Sequence, residues 1–210
     1  MIPVVKHRRF CIKSPIKLTI SLLLAAYSMV VFMIDPTTDR QYCMLAMIVS
    51  SIGDMLMMGQ ISLSFLPVSG FVAGIGVFAA AHILYGAAYF YRFCMDTGRT
   101  MRFNDGTIIV LTGLVILIFI FWAICIWRKQ YKYFWLIPVY LCFIGVSCGA
   151  VFTYVWEVYD TKPSVIWAAV GAGSFLFSDC CIGLNRVAGW RWMGKLVWVC
   201  YPIGQFLLIT

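Results

Sequence analysis

The sequence predicts an all-α protein, a polytopic transmembrane helical bundle of about seven spans with its N-terminus in the cytoplasm. Three observations predict it. Of the 210 residues 63% are hydrophobic and only 11% charged, where a soluble domain carries about 25% charged residues. The apolar residues fall in long runs, close to the roughly 20 that a helix needs to cross the hydrocarbon core. An alternating apolar/polar pattern, the mark of a membrane β-barrel, is absent. The mean hydropathy of +0.93 agrees, and the whole of 1–210 reads as a single integral membrane domain with a basic cytoplasmic stub at 1–15.

The first span is expected at 16–34. It follows a basic start, but its apolar run has span length and ends in Asp35-Pro36 without a small-residue cleavage site, so it reads as a retained helix and not a cleaved signal. The second is expected at 41–58 and contains Asp54. A short connection with Pro67 leads to the third, at 69–91, which contains His82 and Tyr85. The longest connection, 92–106, precedes the fourth span at 107–127. The fifth follows at 133–156, the sixth at 163–185 with Asp179, and the last at 190–209. Trp127, Trp135, Trp156, Tyr159, Trp190 and Trp192 lie near span ends, as an interfacial aromatic belt does.

Charge sets the orientation. With the stub in the cytoplasm, its Lys6, Arg8, Arg9, Lys13 and Lys17 share a side with Arg128, Lys129, Lys132, Arg186, Arg191 and Lys195. The opposite side has Arg40, Arg92, Arg99, Arg102 and Lys162, and also the acids Asp35, Asp39, Asp96, Asp105, Glu157 and Asp160. This is the asymmetry of the positive-inside rule. The net charge of +8 is therefore topology plus attraction to anionic headgroups, and no nucleic-acid partner is expected. The nine cysteines are scattered without a CxxC. They read as small packing residues, and neither a metal nor another cofactor is expected.

The other two acids are Asp54 and Asp179, each within an apolar stretch that holds no Lys or Arg. An ionisable group at membrane depth is costly unless it faces a polar interior, which makes it a functional candidate. At about 1.5 Å of rise per residue, Asp54 lies roughly 20 Å and Asp179 roughly 24 Å from the outer ends of their spans. Both fall in the cytoplasmic half of a core about 30 Å thick. Two such residues at similar depth suggest a paired carboxylate site. The i, i+3 and i+4 spacing puts Ser50, Ser51 and Met58 beside Asp54, and Phe175, Ile182 and Gly183 beside Asp179, with Ser178 adjacent. Gly171, Gly173 and Ser174 are small enough for close helix approach. The alternative reading of the aspartates is a neutral, hydrogen-bonded structural carboxyl.

Supporting candidates are weaker. His82 and Tyr85 share a face with Phe78 and Tyr89, and the depth of His82, nearer the midplane, argues against direct contact with the aspartates. Tyr201 and Gln205 form an i, i+4 pair near Pro202, suited to orienting a water or to bonding between helices. Asn185 and Arg186 end the sixth span at the cytoplasmic face, where Arg186 is placed to meet a phosphate or to snorkel.

The fragments SSIGDMLMM, FVAGIGVFAAAHILYGAAYFY, GAGSFLFSDCCIGLNR and YPIGQFLLI occur in this order, and IKSPIKLTISLLLA precedes them. In combination they resemble the YhhN-type lysoplasmalogenase family of integral membrane proteins, over about 13–209. The family's lysine matches Lys13 or Lys17. Family members usually have eight spans, and here a short basic stub stands where the helix before the Lys/Pro segment is expected.

The resemblance implies hydrolysis of the vinyl ether of lysoplasmalogens (alkenyl lysophospholipids) to a fatty aldehyde and glycerophosphoethanolamine or glycerophosphocholine. Asp54 and Asp179 would be the catalytic pair, with Ser51, His82, Tyr85, Ser178, Tyr201, Gln205, Asn185 and Lys13 binding substrate or supporting them. The chemistry suits two carboxyls. Protonating the terminal alkene carbon gives an oxocarbenium ion, water adds, and the hemiacetal collapses. One acid must hold a proton and one carboxylate must stabilise positive charge and activate water, as glycosidases do for a similar cation. A coupled pair titrates as a unit, so the sequence leaves open which aspartate holds the proton. The expected partners are a single-chain ether lysophospholipid and membrane lipids. The expected location is a bacterial-type inner or cell membrane, with the site toward the cytoplasmic half. Two readings stand beside this one. Membrane carboxylates also serve proton-coupled transporters and lipid-binding proteins. A zinc hydrolase needs several histidines, and the chain has only His7 and His82.

Overall fold

The computed structural model describes residues 14–61, 69–102 and 104–210. Among them the chain forms seven α-helices and no strand: α1 (Ser14–Ile34), α2 (Thr38–Met57), α3 (Gly70–Thr97), α4 (Asp105–Trp127), α5 (Leu136–Val158), α6 (Ile166–Val187) and α7 (Met193–Ile209). Short 3₁₀ turns at Tyr131–Tyr133 and Pro163–Val165 precede α5 and α6. The helices fall where the apolar runs are. Five of them, α1, α3, α4, α5 and α6, are long and apolar enough to cross a membrane, which marks the chain as an integral membrane protein. The expectation of seven spans narrows here. α2 opens on Thr38, Asp39, Arg40 and Gln41 and holds Asp54, and α7 is only 17 residues long.

The largest boundary difference is in α3, which runs past 91 to Thr97. Its last turns leave the apolar run but remain helical because their polar groups are paired. Arg92 donates to Asp39 at 2.8 Å, and Asp96 accepts from Lys162 and from Tyr154, both at 2.7 Å. The helix stops at Gly98, which adopts φ 65°, a left-handed conformation that glycine enters without a Cβ clash. The connection is therefore shorter than 92–106. α4 then begins on a capping box in which the Asn104 side chain accepts from the Thr107 backbone and the Thr107 hydroxyl accepts from the Asn104 backbone.

Packing closes a ring. α1 lies against α2, α2 against α3, α3 against α5, α5 against α6, α6 against α7, and α7 returns to α1; α4 packs outside, on α5. α4 shows this in its surface, with Ile108, Ile109, Val115, Ile116, Phe119 and Ile120 all exposed, as suits a helix facing lipid. The α6–α7 seam is tightly packed through glycines. A Cβ on Gly204 would meet the Phe175 backbone nitrogen at 2.8 Å and the Gly171 carbonyl at 3.0 Å. A Cβ on Gly171 would meet Leu207 at 2.9 Å. Gly173, expected to serve the same purpose, has no atom within 4 Å of such a Cβ; it sits off the seam.

Gly204→Ala is expected to force α6 and α7 apart and to lower stability by about 1–3 kcal/mol, the usual cost of overpacking. Gly173→Ala is expected to be near neutral. Thermal unfolding of both variants in detergent checks the contrast.

Candidate active site

Each of the six ring helices contributes a polar side chain to the interior: Ser21 from α1, Asp54 from α2, His82 from α3, Tyr140 and Ser147 from α5, Asp179 from α6 and Tyr201 from α7. The backbone explains the entry of the aspartates. Gly53 admits the Phe78 ring, which a Cβ there would meet at 2.8 Å. Phe78 in turn packs edge-on against Tyr201, with centroids 6.2 Å apart. Gly183, one turn after Asp179, admits the Phe121 ring in the same way.

Asp54 and Asp179 are both buried, 7% and 8% exposed. Asp54 Oδ2 accepts from the Ser21 hydroxyl at 2.7 Å and from the Tyr201 hydroxyl at 2.8 Å. Asp179 Oδ2 accepts from the Tyr140 hydroxyl at 2.8 Å and faces His82 Nε2 at 3.3 Å. His82 Nδ1 lies 2.8 Å from the Ser147 hydroxyl. The two carboxyls share no hydrogen bond among the described residues. Their partners meet on one ring: Phe175 packs against His82 at 4.8 Å and against Tyr201 at 5.6 Å between centroids.

Two adjoining cavities open onto the carboxyls. The Asp54 chamber, about 190 Å³, is lined by Lys17, Asn185, Arg186, Gly194, Trp198 and Tyr201, among others. The Asp179 slot is narrower, about 40 Å³, and apolar. Phe121, Leu136, Ile137, Leu141 and Ile144 line it beside Tyr140. Met57, Phe71, Ile182 and Arg186 line both cavities. At the chamber mouth the Lys17 ammonium sits 4.6 Å above the Trp198 ring and the Arg186 guanidinium 4.5 Å from the Phe71 ring.

The candidates from the sequence divide accordingly. Tyr201 touches Asp54, and Ser51 meets Ser21 at 3.1 Å behind it. Asn185 lines the Asp54 chamber. Tyr85 and Gln205 are hydrogen-bonded to each other, with Tyr85 edge-on to Phe175. They brace the site and line neither cavity. Ser178 is fully buried without a hydrogen-bond partner and is not brought to either cavity. Lys13 and His7 lie outside the described residues; of the two lysines considered for the family position, Lys17 is at the chamber. His82 corrects its expectation, because it contacts Asp179 directly. The depth count ended α3 at 91, and the helix continues to Thr97. His82 thus lies roughly 22 Å from the Thr97 end of α3, level with Asp179 at roughly 20 Å along α6, at about 1.5 Å per residue. The order of the aspartates also reverses. Asp54 lies roughly 24 Å from Thr38 by the same rise, nearer the Lys17–Arg186 end than Asp179.

Sequence reading missed Tyr140, Ser21 and Ser147. A signal existed. Ser21 and Ser28 in α1, and Tyr140 and Ser147 in α5, are each seven apart, which stacks them on one face of an otherwise apolar helix.

Ser21→Ala and Tyr201→Phe are each expected to cost about 1.5–3 kcal/mol, the range for a hydrogen bond to a charged group. In an Asp54→Ala background each is expected to cost much less. A double-mutant cycle by denaturant unfolding measures the difference.

The family model described as YhhN family matches residues 12–210. Neither a curated protein nor a solved structure matches the chain.

Proposed function

The chain belongs to the YhhN family, and on that premise we propose that it is a lysoplasmalogenase-type hydrolase of membrane lipid metabolism. It cleaves the vinyl ether of an alkenyl lysophospholipid to a fatty aldehyde and a glycerophospho-headgroup, with Asp54 and Asp179 as an aspartate dyad. One observation carries this reading: the two buried carboxyls open onto two adjoining cavities that share Arg186, one lined also by Lys17 and Asn185 and the other mainly by apolar side chains. A charged lining beside an apolar one suits the two ends of a single-chain amphiphile. The phosphodiester sits near Lys17 and Arg186, the alkyl chain enters between Phe121, Leu136 and Ile144, and the vinyl ether crosses the shared wall between them.

The hydrogen bonds suit the chemistry. Serine and tyrosine hydroxyls stabilise a carboxylate without supplying a competing nucleophile of high basicity. The low-dielectric surroundings strengthen the attraction between a carboxylate and an oxocarbenium ion. The positive-inside asymmetry supports a cytoplasmic location for the Lys17–Arg186 end and the site.

Purified protein in detergent is expected to release aldehyde from an alkenyl lysophospholipid and none from its ester or saturated-ether analogues. Asp54→Asn and Asp179→Asn are each expected to lower kcat at least about 100-fold, the lower range for general acid–base groups. Folded wild type that releases no aldehyde across acidic and neutral pH would move the reading to a proton-coupled transporter or lipid-binding protein.

A further inference from the structure

The geometry points to a phospholipid site in a groove between α3 and α4, with the phosphate on Arg102 and one acyl chain lying against α5. The site stands apart from the two carboxyls and does not rest on the hydrolase reading. Charge pairing leads there first. Of the five cations at the Asp39–Arg92 end, four have an acidic partner: Arg40 has Asp35, Arg92 has Asp39, Arg99 has Glu157 and Lys162 has Asp96. Among the described residues Arg102 makes no ion pair. Asp105, three residues on, lines neither of the two hollows that Arg102 borders.

Those hollows meet at Arg102 and differ in character. One, about 440 Å³, is polar and is lined by Arg99, Thr100, Asn104 and Glu157 beside Phe93. Arg99 and Arg102 outnumber Glu157 there, which leaves one positive charge in excess. The other, about 710 Å³, is an apolar groove. α3 and α4 each pack on α5, and the groove runs between them past Gly145 and Gly149 of α5. It opens outward. Phe90 on α3, Leu111 and Val115 on α4 and Val146 on α5 line it, and each is about half exposed.

Depth matches one leaflet. The groove follows α4 from Thr107 to Ile118, roughly 16 Å at about 1.5 Å per residue, which is half of a core about 30 Å thick. Its inner end is at Leu141, the residue it shares with the Asp179 slot. At its head the Thr107 and Thr153 hydroxyls are hydrogen-bonded to each other at 2.5 Å, where the glycerol ester lies when a phosphate is at Arg102.

The chemistry selects a phosphodiester. Surrounding lipid tails are as apolar as the groove, so a chain entering it gains packing and little hydrophobic free energy. The headgroup must therefore hold one lipid over its neighbours. A guanidinium forms charge-assisted hydrogen bonds with phosphate oxygens and can meet two of them at once. A diacylglycerol has the same chains and no such acceptor. If Arg102 instead snorkels to water, the groove takes chains whatever their headgroup.

Lipid-stripped protein in detergent, titrated with dioleoyl phosphatidylglycerol or dioleoylglycerol and read by native mass spectrometry, separates these cases. Wild type is expected to hold one phosphatidylglycerol in preference to the diacylglycerol. Arg102→Gln is expected to weaken that binding about tenfold, as befits the loss of one hydrogen bond to a charged group. Gly149→Leu fills the groove from a position whose Cβ meets no atom within 4 Å, and Val115→Trp fills it from the exposed wall of α4. Whichever of these keeps the wild-type unfolding temperature is expected to weaken binding at least as much. Arg128→Gln, at the other end of α4, is expected to change nothing. The site is overturned by any of four results: diacylglycerol binding as tight as phosphatidylglycerol, wild-type affinity in Arg102→Gln, an equal loss in Arg128→Gln, or full affinity in a folded groove-filling variant.

Discussion

The structure depends on one constraint: a polar group carried into an apolar membrane interior must find its partner inside the protein. Leaving a carboxylate or hydroxyl unpaired there costs several kcal/mol. Asp54 and Asp179 meet it with two partners each, and those partners come from four other helices, α1, α7, α3 and α5. The same bonds that make the aspartates tolerable therefore hold the ring together. Removing a carboxyl would take a partner from its serine, tyrosine or histidine as well, so site and fold are not separable energetically.

The ring architecture follows from how these helices can approach. Water drives no burial between lipid-facing helices, so close contact relies on small residues and interhelical hydrogen bonds. Gly204 and Gly171 bring α6 and α7 together, Gly53 admits Phe78 from α3, and Gly183 admits Phe121 from α4. The aromatic rings so admitted form the walls of the cavities, and Phe175 at the centre separates the partners of one aspartate from those of the other. Large rings fix distances here because each has few rotamers and many contacts.

The two ends of the bundle are built differently. At the Asp39–Arg92 end, acids and bases pair with one another: Asp35 with Arg40, Asp39 with Arg92 and Asp96 with Lys162. At the Lys17–Arg186 end, the cations lie over aromatic rings beside an open chamber. The first end spends its charges on joining helices. The second sets its cations against aromatic rings, at the end nearer Asp54.

The sequence by itself determined the fold class, the approximate position of every helix, the charge asymmetry and the two carboxyls. Each of these is a local property: a run of apolar residues has a length, and an Asp inside it is conspicuous whatever its neighbours do. It also identified Tyr201 and His82 as polar groups in apolar spans. What lay beyond it was pairing. The reach of α3 to Thr97 depends on Asp39, Lys162 and Tyr154, which are distant in sequence, and that extension moved His82 level with Asp179. Tyr140, Ser21 and Ser147 look like ordinary span residues until another helix brings a hydrogen-bond partner within 3 Å. Only the tertiary structure decided which hydroxyl meets which carboxyl, because the rotation of each helix about its axis is set by packing against its neighbours and not by its own composition.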